Sequence, residues 1–258
     1  MNTETLARPA AALVPPAVVT RDDWLAERRR LLAREKELTR LRDEVARERR
    51  ALPWVRLEQD YRFDTPAGPR RMSDLFDGRR QLLVQHFMLG PGWPQGCPSC
   101  SYMADHLEGM RVHLAQRDVT LLVVSRAPLA EIEAFRRRMG WQFTWVSSHG
   151  SDFNRDFHVS FTPEEQARGE VYYNYHMTAF PATEAPGISV FCRDDTGAVF
   201  HAYSTYGRGV EVMMGTYALI DLTPRGRDED GLPHPMAWVR HHDRYEAAPA
   251  AACCRTAG

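Results

Sequence analysis

Cys97 and Cys100 stand between an apolar run, Gln81-Leu-Leu-Val-Gln-His-Phe-Met88, and a helix-like run from Ser101 to Gln116. No other feature constrains the fold of this chain as much. A Cys-x-x-Cys that follows a buried strand and opens a helix reads as a dithiol/disulfide switch. Residues three apart in a first helical turn meet the Cα separation a disulfide needs, roughly 4.4–6.8 Å. Free N–H groups and the dipole at a helix start favour a thiolate on the first cysteine, so Cys97 is expected below the usual ~8.5. The competing readings are half of a zinc site and two buried structural thiols. No second Cys-x-x-Cys completes a zinc site, because the remaining cysteines are Cys192 and the adjacent Cys253-Cys254. Ser101, not His, follows Cys100, which argues against c-type haem attachment.

The chain has 258 residues, enough for one sizeable domain plus an appendage or for two small domains. Its net charge of −1 carries no basic field that would attract nucleic acid. No apolar run approaches ~18 residues, so no membrane span is expected. The first twenty residues lack a basic n-region, and Pro15-Pro16 interrupts their apolar stretch, so no secretory signal is expected. Five cysteines make an odd count without framework spacing. That usage fits a reducing compartment, and the cytoplasm is the expected location.

Residues 1–20 read as a flexible segment. A helical arm is expected over 21–52, beginning at Thr20-Arg-Asp-Asp23, which resembles a capping box with Asp in place of Glu. Trp24, Leu31, Leu38, Val45 and Leu52 recur every seven residues, widened by Leu25, Leu32 and Leu41. The heptad's second apolar position is poorly filled, which leaves an arm for packing on its own domain or against a second copy in a homodimer. Pro53 closes the arm and a domain is expected over 53–222. It contains a strand, turn and return over Tyr61–Phe76, a central strand at Gln81–Met88 and a buried strand at Val119–Ser125. A helix over Pro128–Met139 and a short strand over Phe143–Val146 follow, then an irregular, aromatic-rich stretch over 147–185. Ile188–Cys192 and Ala198–Tyr203 form a hairpin across Asp194-Asp-Thr-Gly197, and Val210–Ile220 reads as a last helix. Residues 223–258 are a polar extension and tail, in which His241-His242 read as solvated and Cys253-Cys254 as part of a disordered end. The order is that of an α/β fold with a mixed central sheet flanked by helices, and it puts Cys97 at the carboxyl end of a central strand.

These residues resemble the thioredoxin-like superfamily over roughly residues 58–222. The Tyr61–Gly78 segment is similar to the N-terminal hairpin of the redoxin branch, and Cys97-Pro-Ser-Cys100 is similar to glutaredoxin in its Pro after the first Cys. The Ala185-Pro186-Gly187 stretch resembles the cis-proline segment of thioredoxin. That likeness implies that Pro186 is cis, faces the disulfide and positions a substrate thiol. The chain resembles more closely the bacterial DUF899 family. It does so through Trp24-Leu, His86-Phe-Met88, Gly96-Cys-Pro-Ser-Cys100, Ser125-Arg-Ala-Pro-Leu129, Met139-Gly-Trp141, Trp145-Val-Ser-Ser148, Ser151-Asp-Phe153, Phe200-His201, Tyr203-Ser-Thr-Tyr206 and Gly226-Arg-Asp-Glu229. The peroxidatic motif Pro-x-x-x-Thr-x-x-Cys is not met. With Cys100 in its place, Cys97 stands at the Thr and Trp93 at the Pro.

The expected activity is thiol–disulfide exchange on a thiol or disulfide substrate, protein or small molecule, with no cofactor. Cys97 attacks and Cys100 resolves. Ser99, Trp93 and Pro186 position the substrate or thiolate. Leu82, Val84, His86 and Met88 share one strand face, so His86 is expected beneath the dithiol, taking the proton that Cys100 loses. The alternative is a copper protein, a Cu(I) carrier or copper-dependent oxidase, with Cys97, Cys100, His86, Met88 and His201 as ligands. A third reading is a binding module built on the Tyr172-Tyr-Asn-Tyr175 stretch and the N-terminal helix.

Overall fold

The Thr20 hydroxyl accepts the Asp23 amide at 3.2 Å and so starts a long first helix, α1 (Arg21–Arg50). Asp22 and Asp23 in its first turn and Arg47, Arg49 and Arg50 in its last suit the helix dipole. None of its residues is buried, and Trp24, Leu31, Leu38 and Val45 face solvent. The structure, a computed structural model, describes residues 16–245. The expectations for residues 1–15 and for Cys253-Cys254 lie outside the described residues. The chain divides into two compact units. One consists of residues up to Leu52 together with Ala218–Asp228, and the other of Pro53–Tyr217 with the chain from Glu229 onward.

The second unit begins with three short strands, β1 (Val55–Arg56), β2 (Arg62–Phe63) and β3 (Arg70–Arg71), of which β2 and β3 form a hairpin. The strand β4 (Gln81–His86) leads through a loop to α2 (Pro98–Ala104) and α3 (Leu107–Ala115). After them come β5 (Val119–Ser125), α4 (Leu129–Arg138) and β6 (Trp145–Ser147). The expected single helix over Ser101–Gln116 is thus two. His106 explains the break: one of its ring nitrogens bonds the Tyr102 carbonyl at 2.8 Å, the group a continuing helix would offer to the His106 amide. The 147–185 stretch holds two short helices, α5 (Phe153–Asp156) and α6 (Pro163–Ala167), and a hairpin of β7 (Val171–Tyr173) and β8 (His176–Thr178). The hairpin β9 (Gly187–Arg193) and β10 (Val199–Tyr206) follows. The expected helix over Val210–Ile220 is a 3₁₀ turn at Gly207–Met213 and then α7 (Gly215–Ile220).

The main sheet has the order β1-β10-β9-β4-β5-β6. β4 lies in its middle, parallel to β5 and antiparallel to β9, and β6 is parallel to β5. Two parallel crossovers on one side of the dithiol strand and an antiparallel hairpin on the other make a thioredoxin-like mixed α/β fold. Each sheet face has its own apolar layer. Leu82, Val84, Leu122, Val124 and Phe191 pack with Phe63, Phe76, Phe153 and Phe157 on one. Phe87 and Trp145 meet Phe135 of α4 and Trp141 on the other. No helix among the described residues is long and apolar enough to cross a membrane.

A candidate dithiol site

Cys97 caps α2, and Pro98 takes the first helical position, where a missing N–H costs nothing. The loop before it is clamped along its length. Ala127 N–H donates to the Leu89 carbonyl at 2.9 Å and Gly92 N–H to a Glu131 carboxylate oxygen at 3.0 Å. Cys97 N–H returns to the Met88 carbonyl at 3.0 Å. A Cβ on Gly96 would lie 2.5 Å from a Phe87 ring carbon and 2.7 Å from one of Phe135, so only glycine fits just before Cys97.

Cys97 is partly exposed and Cys100 is buried, and both are free thiols in hydrogen-bond contact. The Cys100 thiol is the largest influence on Cys97. Together with the amides of Cys100 and Ser99 and the Ser99 hydroxyl it outweighs desolvation and brings Cys97 down to about 7. The same contact, then burial, holds the Cys100 thiol well above its ordinary value. The low value was expected; the partner thiol leads its causes, and the Ser99 and Cys100 amides at the helix start contribute as expected. α2 supplies only seven residues and opens on a proline.

Beside the loop lies an ion pair that gave no sequence signal. Arg126 Nε donates to Glu184 Oε1 at 2.9 Å, and the Ser160 hydroxyl donates to the other carboxylate oxygen. Glu184 is 1% exposed, and burial pushes its carboxyl up. It lies against Gly90: a Cβ there would sit 3.2 Å from Glu184 Oε1 and 3.0 Å from the Trp93 indole nitrogen. Trp93 therefore folds back over the start of the loop. His241, expected in solvent, is 3% exposed. Its Nε2 lies 2.8 Å from the Gly96 carbonyl and its ring packs edge-on to Phe135, so the tail braces the residue before Cys97.

Pro186 precedes β9 at the sheet edge where β4 ends, since Gly187 pairs with His86. No peptide bond among the described residues is cis, so the expected cis bond at Pro186 is corrected to trans. Its carbonyl instead accepts the Tyr173 hydroxyl at 2.8 Å, and the Tyr173 hydroxyl oxygen in turn accepts the Gly207 amide at 2.9 Å. Burial raises the Tyr173 hydroxyl.

His86 is not beneath the dithiol. Gln85 Nε2 donates to the Cys100 carbonyl at 3.2 Å, so α2 covers the face to which Gln85 points. His86 points to the other face, where it stacks on Phe153 and Phe157. Burial, then the neighbouring His201, lowers it to about 3, while Cys100 is held well above 9. A buried imidazole held this low is a poor acceptor for a proton from a thiol held this high. His86 Nε2 lies 2.7 Å from the Ser189 hydroxyl, Ser189 lies 2.7 Å from Ser204, and Ser204 lies 2.8 Å from His201 Nε2. A bulge in β10 between His201 and Tyr203 brings His201 and Ser204 to one face. The copper ligand set thus loses both imidazoles to a chain behind the sheet. Among the described residues no group of three or more His, Cys, Asp or Glu converges on a metal position. Met88 stays by the thiols through its backbone.

No curated protein matches the sequence. Among solved structures, the chain is similar to a cysteine-to-serine mutant of Xylella fastidiosa PrxQ, with 13% identity over 64% of this chain and 94% of that one at a TM-score of 0.40. It is similar to a cysteine-to-serine mutant of Xanthomonas campestris peroxiredoxin Q, with 10% identity over 65% and 98% at 0.43. It is also similar to a thiol:disulfide interchange protein DsbE from Chlorobium tepidum, described as putative, with 12% identity over 65% and 97% at 0.38. Overlaps this distant establish nothing about activity. The profile of the DUF899 family, described as "Bacterial protein of unknown function", matches residues 13–245, and the chain belongs to that family.

Proposed function

We propose that the protein is a thiol–disulfide oxidoreductase in which Cys97 attacks and Cys100 resolves. The carrying observation is the pairing of a partly exposed thiol held near 7 with a buried thiol held well above 9. The Cys97 thiolate attacks one sulfur of a substrate disulfide and expels the other as a thiolate. A mixed disulfide results. Cys97 has then lost its charge, and with it the main influence that held the proton on Cys100. Cys100 gives that proton to the expelled thiolate and attacks Cys97. The Cys97–Cys100 disulfide forms and the second substrate thiolate leaves. Two electrons have passed to the substrate, and an external thiol reductant returns the dithiol. Ser99 supports the thiolate through its amide and hydroxyl. Trp93 and Pro186 position the substrate disulfide. The substrate is a protein or small-molecule disulfide, the setting a reducing cytoplasm. The exposed stripe of α1 serves a second copy.

Glutathione disulfide and mass spectrometry test this. Cys100→Ser is expected to accumulate a mixed disulfide on Cys97, Cys97→Ser to accumulate none, and the unaltered protein to end with a Cys97–Cys100 bond. Trapping on Cys100 in Cys97→Ser, or no internal disulfide in the unaltered protein, would overturn the assignment.

A further inference from the structure

Behind the sheet, on the face away from α2, lies an open cleft of about 290 Å³. Its walls carry Tyr61, Phe157, Tyr172, Tyr175 and Tyr206, with Asp156 as its carboxylate. The dithiol reaction uses none of them. Neither Lys nor Arg lines the cleft. Burial lowers the His201 pKa, which disfavours its charged form, and its Nε2 lies 2.8 Å from the Ser204 hydroxyl. Tyr61 donates its hydroxyl to the Asp156 carboxylate at 2.6 Å.

The backbone of this wall is unusual. Seven described non-glycine residues have positive φ, and three of them, His158 (53°), Asn174 (51°) and Tyr175 (67°), line this one cleft. Side chains rarely adopt that region, and it persists only where surrounding contacts dictate it. Here the contacts aim rings. Tyr172 meets His158 edge-on at 4.7 Å, and Tyr175 meets Tyr206 at 5.6 Å while its hydroxyl donates to the Ser204 carbonyl at 2.9 Å. Tyr172 and Tyr175 are nevertheless 40% and 62% exposed, large aromatic surface left open to water.

We propose that this cleft is a binding site for a small organic cation of the alkylammonium or methylated-ammonium class. The negative faces of several rings attract a cation that is too weakly hydrated to prefer water, and a nearby carboxylate adds to the attraction. An anion would meet Asp156 with no cation to offset it. A neutral ligand of the same shape would gain the apolar contact and nothing from the ring quadrupoles.

The comparison that tests this uses the full chain and two probes of one shape, choline and its uncharged carbon isostere 3,3-dimethylbutan-1-ol. Binding is followed by NMR shifts of the tyrosine ring protons. Choline is expected to bind about tenfold or more tightly than the isostere. Tyr175→Leu and Asp156→Asn, both at exposed positions, are each expected to weaken choline about fivefold or more while leaving the alkylation rate of Cys97 unchanged. Equal binding of the two probes, no binding of choline at tens of millimolar, or choline binding untouched by both variants would each overturn the proposal. None of these outcomes bears on the dithiol reaction, which is read separately by alkylation.

Discussion

The Cys100 thiol is the first cause of the low Cys97 value, so removing it gives the sharpest test of the site. A hydrogen bond to a charged group is worth about 1.5–3 kcal/mol, and an S–H donor lies at the bottom of that range. Cys100→Ala should therefore raise the Cys97 midpoint from about 7 by about one unit. Near pH 7 the thiolate fraction would fall from about one half to about one tenth, a fivefold loss that the more basic thiolate's roughly threefold higher nucleophilicity cuts to a net slowing of alkylation by iodoacetamide of about twofold, so the shifted midpoint is the clearer readout. Cys100→Ser keeps an O–H donor and should hold the midpoint within a few tenths of a unit. The advantage of the native arrangement follows from the same figures. Against an ordinary thiol at 9.0, a midpoint near 7 gives about fifty times more thiolate at neutral pH. The lower basicity costs about tenfold in intrinsic nucleophilicity, so the net gain is about fivefold. The assay is the rate of Cys97 alkylation from pH 5 to 10, read by peptide mass. A midpoint near 9 in the unaltered protein, or one that Cys100→Ala does not move, would refute the reasoning.

His86 titrates at 6.5 when unfolded and at about 3 in its buried position, so the unfolded chain takes up the proton first. Its stabilising contribution is full above 6.5 and is lost at about 1.4 kcal/mol per unit as pH falls towards 3. Urea unfolding should lose about 2 kcal/mol between pH 6.5 and 5 from this group, and His86→Phe should flatten that slope whatever its effect on absolute stability. Gly96→Ala forces a methyl into the rings of Phe87 and Phe135, and a loss of about 1–3 kcal/mol in thermal or urea unfolding checks it. His241→Ala removes the brace on the Gly96 carbonyl and should cost about 2 kcal/mol while altering the rate of Cys97 alkylation; an unchanged rate would show that the brace does not reach the thiol. Glu184→Gln leaves Arg126 without its charge partner and should cost about 2 kcal/mol, a figure kept low because the Arg126 side chain is 24% exposed.

What was readable depended on whether the signal was local. The run Val119–Ser125 is β5 to the residue, and the Pro128–Met139 pattern is α4 within one residue at each end, because burial period and helix punctuation lie within the segment itself. α6 had a readable local signal too. Thr162-Pro-Glu-Glu165 forms a full capping box, with the Thr162 hydroxyl accepting the Glu165 amide and Glu165 accepting the Thr162 amide. The break between α2 and α3 had none. The second ring nitrogen of His106 meets Thr216, more than a hundred residues away. His241 likewise reaches the dithiol loop from the far end of the chain, and Glu184, which meets Arg126 beside the loop, comes from 58 residues further on.

The misplacement of His86 shows where parity alone stops. Alternation along β4 correctly joins Leu82, Val84 and His86, and the first two do share an apolar layer. Parity does not say which layer the next helix covers. That is set by the loop from Phe87 to Gly96, which returns Cys97 to the Met88 carbonyl and lays α2 over Gln85. Gln85 is 0% exposed, and its amide nitrogen bonds the Cys100 carbonyl; the polar residue facing the dithiol helix is thus an amide that cannot titrate near neutral pH. The imidazole one residue on is committed to Ser189 behind the sheet. An exchange reaction run from this side of the sheet has to manage its protons with the two thiols and the substrate's own sulfur. The opposed shifts of Cys97 and Cys100 suit them to that.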